Sequence, residues 1–502
     1  MAGKPELDAI VVGAGPNGLA AAVTLARAGL QVRVYERNAT IGGGARTAEL
    51  TLPGFHHDVC SAVHPMALAS GFFRQFALER RIELVVPEIS YAHPLDGGGG
   101  GIAYRDLERT ADGLGRDGDA WRSLMGPLAR HADRVSQFTG STLLQVPRHP
   151  VTVAAFGLRA LEQGSPLWNV RFREEVAPAM LSGVAAHSIR PMPSLATAAA
   201  ALSLGAYAHA RGWPIPVGGS QAIVDALADD LVAHGGEIVT GVEITSIHEL
   251  PPARAVLFDT TPRALTDIAG SRLPDAFLRR LARFRYGDGV AKVDFALSGP
   301  VPWTNPEMAH AGTLHVGGSR AEIAAAERDV ARGRHSDDPY VLVSQPAVGD
   351  ASRAPAGKQV LWAYTHVPSG STIDQTEAIT RQLERFAPGF RDVVIVSSSK
   401  TAVDMAEYNP NYVLGDIAAG AASFLQLVAR PVLSADPWRT PTEGLFLCSS
   451  STPPGPGVHG LAGWHAARSA LRSVFGRTRM PSLAPDQSSS GGRSAPSSPA
   501  TR

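Results

Sequence analysis

Asp8-Ala-Ile-Val-Val-Gly13-Ala-Gly15-Pro-Asn-Gly18, with the helix-like run to Gly29 and the strand-like Gln31 to Tyr35 behind it, sets the fold of this chain. Asp8 to Val12 is a short apolar run that stops at Gly13, and Gly18 to Gly29 then repeats Ala and Leu at helical spacing. The glycines therefore fall in a strand-to-helix turn, the setting in which Gly-x-Gly-x-x-Gly has a mechanism. Gly13 permits the tight turn, Gly15 lets backbone approach a pyrophosphate with no Cβ in the way, and Gly18 lets the helix pack on the sheet. Pro16 and Asn17 complete the turn, and the N-terminus of the helix behind it offers free N–H groups and a partial positive charge to phosphate. Glu36, ending the second strand, is placed to accept hydrogen bonds from adenosine ribose hydroxyls, and its charge repels a 2′-phosphate, which disfavours NADP.

The same pattern returns far downstream. Ser220 to His234 reads as a helix with Ile223, Leu227 and Leu231 on one stripe, followed by Gly235-Gly236 and the strand-like Glu237 to Thr240. Strands over Ala255–Phe258 and Gly444–Cys448 each lead into Thr/Pro/Gly-rich turns, the ligand-binding edge of an open α/β sheet. The fold class is α/β: a discontinuous Rossmann-like FAD-binding domain of the glutathione-reductase-like class, with an inserted α+β substrate domain. The expected boundaries are 1–72, 214–272 and 436–477 for the first and 73–213 and 273–435 for the second. Within the insertions a helix after Asp117 puts Trp121, Leu124, Met125, Leu128 and Val135 on one face, and strands run over Val290–Leu297 and Gln359–His366, with a helix over Thr376–Phe386. Gly97 to Gly101 lacks a following Lys-Ser or Lys-Thr and reads as a turn. Residues 478–502, rich in Ser, Pro and Gly, read as a disordered tail.

With 502 residues the chain is too long for a single core, and 44% hydrophobic against 18% charged residues is the balance of a soluble globular protein. No stretch reaches the length of a spanning helix; Ser194 to Ala210 comes nearest and reads as a buried helix. Lys+Arg and Asp+Glu are equal at 46 each, which leaves no field to attract nucleic acid. The start carries no secretory signal, so a cytoplasmic location is expected. Cys60 and Cys448, the only cysteines, read as small buried hydrophobes, and no histidine spacing forms a metal motif.

FAD is preferred over NAD because Arg37 and the loop Ile41-Gly-Gly43-Gly44-Ala-Arg46-Thr continue the phosphate-side surface beyond Glu36, as an extended dinucleotide needs. Here the sequence resembles the flavin amine oxidase and phytoene desaturase superfamily, and within it the phytoene-dehydrogenase-related group. The resemblance runs to about Phe475. It rests on Val11-Val-Gly-Ala-Gly-Pro-Asn-Gly-Leu, Gly42-Gly43, Gly212-Trp-Pro-Ile-Pro-Val-Gly-Gly-Ser220 and Pro453-Pro-Gly-Pro-Gly-Val-His-Gly-Leu461. One departure stands out: family members put Arg directly after the two glycines, where this chain has Gly44, with Arg46 two places on. The resemblance implies that Gly457, Val458 and His459 lie beside the flavin, that a helix opening there stabilises negative charge on it, and that the backbone of Val242 meets the adenine.

Lysine occurs only at positions 4, 292, 358 and 400. Lys292 interrupts Val290–Leu297, and alternation puts it on one face with Asp294. One reading is a solvent-facing strand with a local ion pair. The other, implied by the resemblance to amine oxidases, is a lysine holding a water beside the flavin, with its pKa lowered by burial. Lys292 and His459 are thus the catalytic candidates; His56, His57, His64, His187 and His366 read as structural. The chain has no second Gly-x-Gly-x-x-Gly, so reoxidation falls to oxygen, a quinone or another acceptor.

The resemblance implies an FAD-dependent oxidoreductase of the desaturase type acting on a largely apolar small molecule. The alternatives are an amine oxidase and a non-catalytic lipid- or partner-binding protein of the same fold. Peripheral membrane contact is compatible with a lipid-borne substrate; oligomeric state is not readable.

Overall fold

The computed structural model describes residues 7–486. Five parallel strands form the first sheet, in the order Leu445–Leu447, Ala253–Phe258, Leu7–Val12, Val32–Tyr35, Glu237–Val239. Both faces of its central strand are covered, which is why Ala9, Ile10 and Val11 form a continuous apolar run, not an alternating one. The helix Pro16–Arg27 packs on it between the helices Leu461–Ser473 and Gln221–Ala233. The first of these contacts is so close that a Cβ on Gly463 would stand 1.8 Å from the Asn17 carbonyl oxygen. Only glycine allows the two helices to approach this far.

Seven strands form the second sheet, in the order Val394–Lys400, Gly289–Leu297, Gln359–Val367, Val341–Ser344, Thr313–Val316, Ile89–Pro94, Gly100–Tyr104. Its pairs are antiparallel except Thr313–Val316 with Ile89–Pro94. One face, with Val293, Phe295, Leu361, Ala363, Val341 and Val343, is sealed by Ile379, Leu383 and Phe386 of the helix Thr376–Phe386. The other carries Lys292, Asp294, Trp362, Tyr364, Leu342, Ser344, Thr313 and His315 and looks toward the first sheet's ligand edge.

Three expectations are corrected here. The strand Gly289–Leu297 does not face solvent: all nine residues are buried, Lys292 and Asp294 included, because helices and loops cover both faces. The helix after Asp117 is two, Gly118–Arg130 and Ala132–Thr139, broken at His131, so Val135 lies on the second. The tail does not begin at 478. Leu483 is buried, and the guanidinium groups of Arg27 and Arg81 donate to the carbonyls of residues 482 to 484, which anchors the chain to position 486. The rest of that stretch lies outside the described residues. The helix Leu195–Ala210 is largely buried as expected, and among the described residues no helix is long and apolar enough to cross a membrane.

Candidate cofactor and substrate site

A mostly apolar cavity of about 890 Å³ runs between the glycine turn and the second sheet. Its nucleotide end is walled by Gly13, Gly15, Pro16, Asn17, Glu36 and Arg37. Gly43, Gly44, Arg46 and Val242 continue that wall, and Gly457 and Val458 close on it from the C-terminal loop. Gly13 needs its freedom, with φ at +102°. Gly15 caps the helix with no side-chain hydrogen bond; Pro16 has no N–H and Gly18 N donates to Asp259, so the first-turn amide left for a ligand is that of Asn17. Gly18 stands behind the wall, where a Cβ would fall 2.2 Å from the Gly13 oxygen.

Glu36 is held from three sides. Its Oε2 accepts from Ala14 N at 3.0 Å, its Oε1 from both nitrogens of Asn38 at 2.9 Å, and Arg46 Nη2 stands 3.5 Å away. Arg46 is buried, lies over the Tyr408 ring, and its Nε has no partner in the protein. An unpaired guanidinium N–H on the wall of a phosphate-side cavity fits a phosphate oxygen. Arg37 pairs with Glu243 at 3.4 Å. The departure at Gly44 has a steric cause: a Cβ there would stand 2.1 Å from the Tyr412 hydroxyl, so the space an arginine would need is filled. Val242 lies in coil, and its N–H donates to the Glu36 carbonyl at 3.0 Å. Together the turn, the acid and the unpaired Arg46 nitrogen fit the adenosine diphosphate half of FAD.

His459 does not reach the wall. Leu461 N donates to its Nδ1 at 3.0 Å, so Nε2 carries the proton and donates to the Gly455 carbonyl at 3.1 Å. Burial pulls its pKa down to about 4, and the neutral ring braces the loop and the first turn of the last helix. Lys292 does not line the cavity either. Its Nζ donates to Asp294 and stands 5.7 Å from the Trp362 ring centre. Burial lowers the lysine's pKa and raises the aspartate's, and each is partly restored by the other. His57 Nδ1 lies 3.5 Å from the remaining Asp294 oxygen.

Several wall residues escaped the sequence reading. Asp259, just past the strand Ala253–Phe258, accepts from Gly18 N at 2.9 Å. Burial, with some repulsion from Glu36, raises its pKa to about 7. Its position after a strand and before Thr-Thr-Pro was the available signal. Cys60, His187, Trp213, Trp362, Tyr364 and Tyr412 also line the cavity. Trp362 and Tyr364 were legible as one face of an alternating strand, but nothing in the sequence told which face the cavity took.

Residues 11–76 match a family described as NAD(P)-binding Rossmann-like domain. The chain is 26% identical to the rat pyridine nucleotide-disulfide oxidoreductase domain-containing protein 2, over 94% of each chain. An uncharacterized protein of Mycobacterium tuberculosis is 25% identical over 95% of this chain and 99% of its own. Among solved structures, a putrescine oxidase variant superposes with a TM-score of 0.60 at 17% identity, over 94% of this chain and 99% of that one. Cyclohexylamine oxidase from Brevibacterium oxydans gives a TM-score of 0.56 at 15% identity, over 94% and 100%. A putative protoporphyrinogen oxidase from Exiguobacterium gives 0.52 at 15%, over 94% and 99%. The rat relative is an oxidoreductase-domain protein and the three structural neighbours are oxidases by name, and the fold is a mixed α/β Rossmann-like fold similar to that of the flavin amine oxidases.

Proposed function

We propose that the protein is a cytoplasmic FAD-dependent oxidoreductase that takes hydride from a C–H bond of a largely apolar substrate. The observation that carries this reading is one continuous cavity, polar and glycine-lined at its nucleotide end and apolar and aromatic at the other. When bound, the flavin supplies the hydride acceptor at N5. The chain's own residues bind and orient. Glu36 would receive the ribose, the Gly13–Gly18 turn and Arg46 would hold the pyrophosphate, and the loop at Gly457 and Val458 would hold the ring system. Trp213, Trp362 and Tyr364 exclude water around the reacting carbon. His187 is neutral, its pKa drawn down to about 3 by burial, and the substrate proton leaves through water. The distribution of strands supports a glutathione-reductase-like cofactor domain with an inserted substrate domain: one sheet is drawn from residues 7–35, 237–258 and 445–447, the other from the stretches between.

The amine oxidase alternative is favoured by the names of the structural neighbours and by Lys292, but that lysine is committed to Asp294. The exposed apolar side chains Leu161 of the helix Pro150–Gln163 and Phe424 line the cavity beside Val153 and Phe156, and Val151 and Leu158 stand exposed on the same helix. Exposed apolar side chains of this kind suit delivery of an apolar substrate from a lipid surface. Visible absorbance of the purified protein, followed by anaerobic addition of polyenes or amines, tests the function. Flavin bands bleached by a polyene support the desaturase reading and bands bleached by an amine replace it. A colourless protein that takes up no added FAD leaves the non-catalytic binding protein.

A further inference from the structure

The inner face of the second sheet holds a row of hydrogen-bonding groups, two hydroxyls and an indole N–H, that the mechanism above leaves unused. Thr313 pairs in register with Ser344, and Ser344 with Trp362, so the three lie side by side across adjacent strands on the face that walls the cavity. Each is more than nine-tenths buried, at 3%, 2% and 4% exposure. The two hydroxyls and the indole N–H have no hydrogen-bond partner in the protein. Three adjacent buried donors left unsatisfied are costly unless a ligand or water meets them. Charge is absent from this end. The charged side chains of the cavity wall are Glu36, Arg37, Arg46, Glu243, Asp259 and Arg430, none of them on the second sheet. Asp294, the neighbour of Trp362 in register, is neutralised by Lys292.

Resting on the FAD-oxidoreductase reading, we propose that this row is a subsite for an uncharged oxygen function, hydroxyl or carbonyl, carried on the otherwise apolar substrate. The oxygen accepts from the indole N–H and exchanges hydrogen bonds with the hydroxyls, while the hydrocarbon body lies along Trp213, Leu342 and Tyr364. A carboxylate or an ammonium finds no counter-charge here and must shed its water. The subsite therefore fixes which end of the molecule enters first, and so which carbon is presented for oxidation.

The test is the binding of farnesene, farnesol, farnesal, farnesoic acid and farnesylamine to the full chain, read by quenching of tryptophan fluorescence. Farnesol and farnesal are expected to bind about tenfold more tightly than farnesene, and more tightly than the acid or the amine. In the Thr313→Val, Ser344→Ala double variant that preference should shrink to about twofold with farnesene affinity unchanged. If the double variant fails to fold, Trp362→Phe serves in its place and should lose part of the preference. Equal binding of farnesene, tightest binding of the acid or the amine, a preference that survives the substitutions, or no binding of any probe would overturn the proposal. Bound FAD is measured by absorbance in the same preparation; its absence would overturn the redox reading while leaving the ranking of ligands readable.

Discussion

The two sheets are both buried on both faces, yet they use that burial differently. The parallel sheet is covered by apolar side chains and helices, and what it offers the cavity is a glycine turn, the Asn17 amide and one acid at the end of a strand. The antiparallel sheet places charge and hydrogen-bonding groups inside: Lys292 with Asp294, a hydroxyl row, and imidazoles at His315 and His366. One sheet recognises a constant cofactor by chain geometry. The other recognises a substrate by side chains that can be exchanged without moving the chain.

The sharpest way to break this contrast is to remove one charge from the second sheet. Lys292→Met should cost about 4 kcal/mol in urea unfolding, because Asp294 is left buried without its partner. A neutral result would mean that the second sheet, too, is held by apolar contact alone. The corresponding strike at the first sheet is steric. Gly463→Ala puts a Cβ 1.8 Å from the Asn17 oxygen and should cost about 3 kcal/mol, with loss of FAD retention, measured by the same unfolding and by flavin fluorescence. A smaller effect is expected from Glu36→Gln, which keeps the shape and removes the charge. FAD affinity should fall by about 2 kcal/mol in equilibrium dialysis, and unchanged affinity would remove Glu36 from the ribose site.

The smallest effect distinguishes the sheets by pH. Asp259 has a folded pKa raised to about 7 by burial, above its unfolded value, so its stabilisation is present at low pH and is lost as pH rises through 7. Between pH 5 and 6, above the unfolded pKa and below the folded one, the cofactor-free protein should lose about 1.4 kcal/mol on this account, a slope absent in Asp259→Asn. The buried histidines act in the opposite sense. His187, drawn down to about 3, and His93, to about 4, add stability above the unfolded pKa near 6.5 that drains away as pH falls toward those values. Across pH 5 to 7 the two slopes therefore oppose each other, and Asp259→Asn should steepen the rise of the thermal midpoint with pH.

Most of the nucleotide end was legible in the sequence, because its requirements are local. A turn that admits only glycine, a helix behind it, and an acid one strand later are fixed by short-range sterics and by the helix terminus, and twelve of the proposed cofactor residues do line the cavity. The helix Thr376–Phe386 was readable for the same reason, with Ile379, Leu383 and Phe386 at helical spacing. The alternation of Gly289–Leu297 was readable too, but alternation says only that two faces differ, not which is wet. Helices from distant segments cover that strand, so Lys292 became a buried ion pair rather than a surface one or a water-holding base. His459 was placed by its motif, and its ring orientation was decided by the Leu461 amide and the Gly455 carbonyl. Local sequence determined where the backbone turns and which elements it builds. Only the tertiary structure decided which polar side chains lie without partners against the cavity, because burial and hydrogen-bond satisfaction depend on atoms hundreds of residues apart.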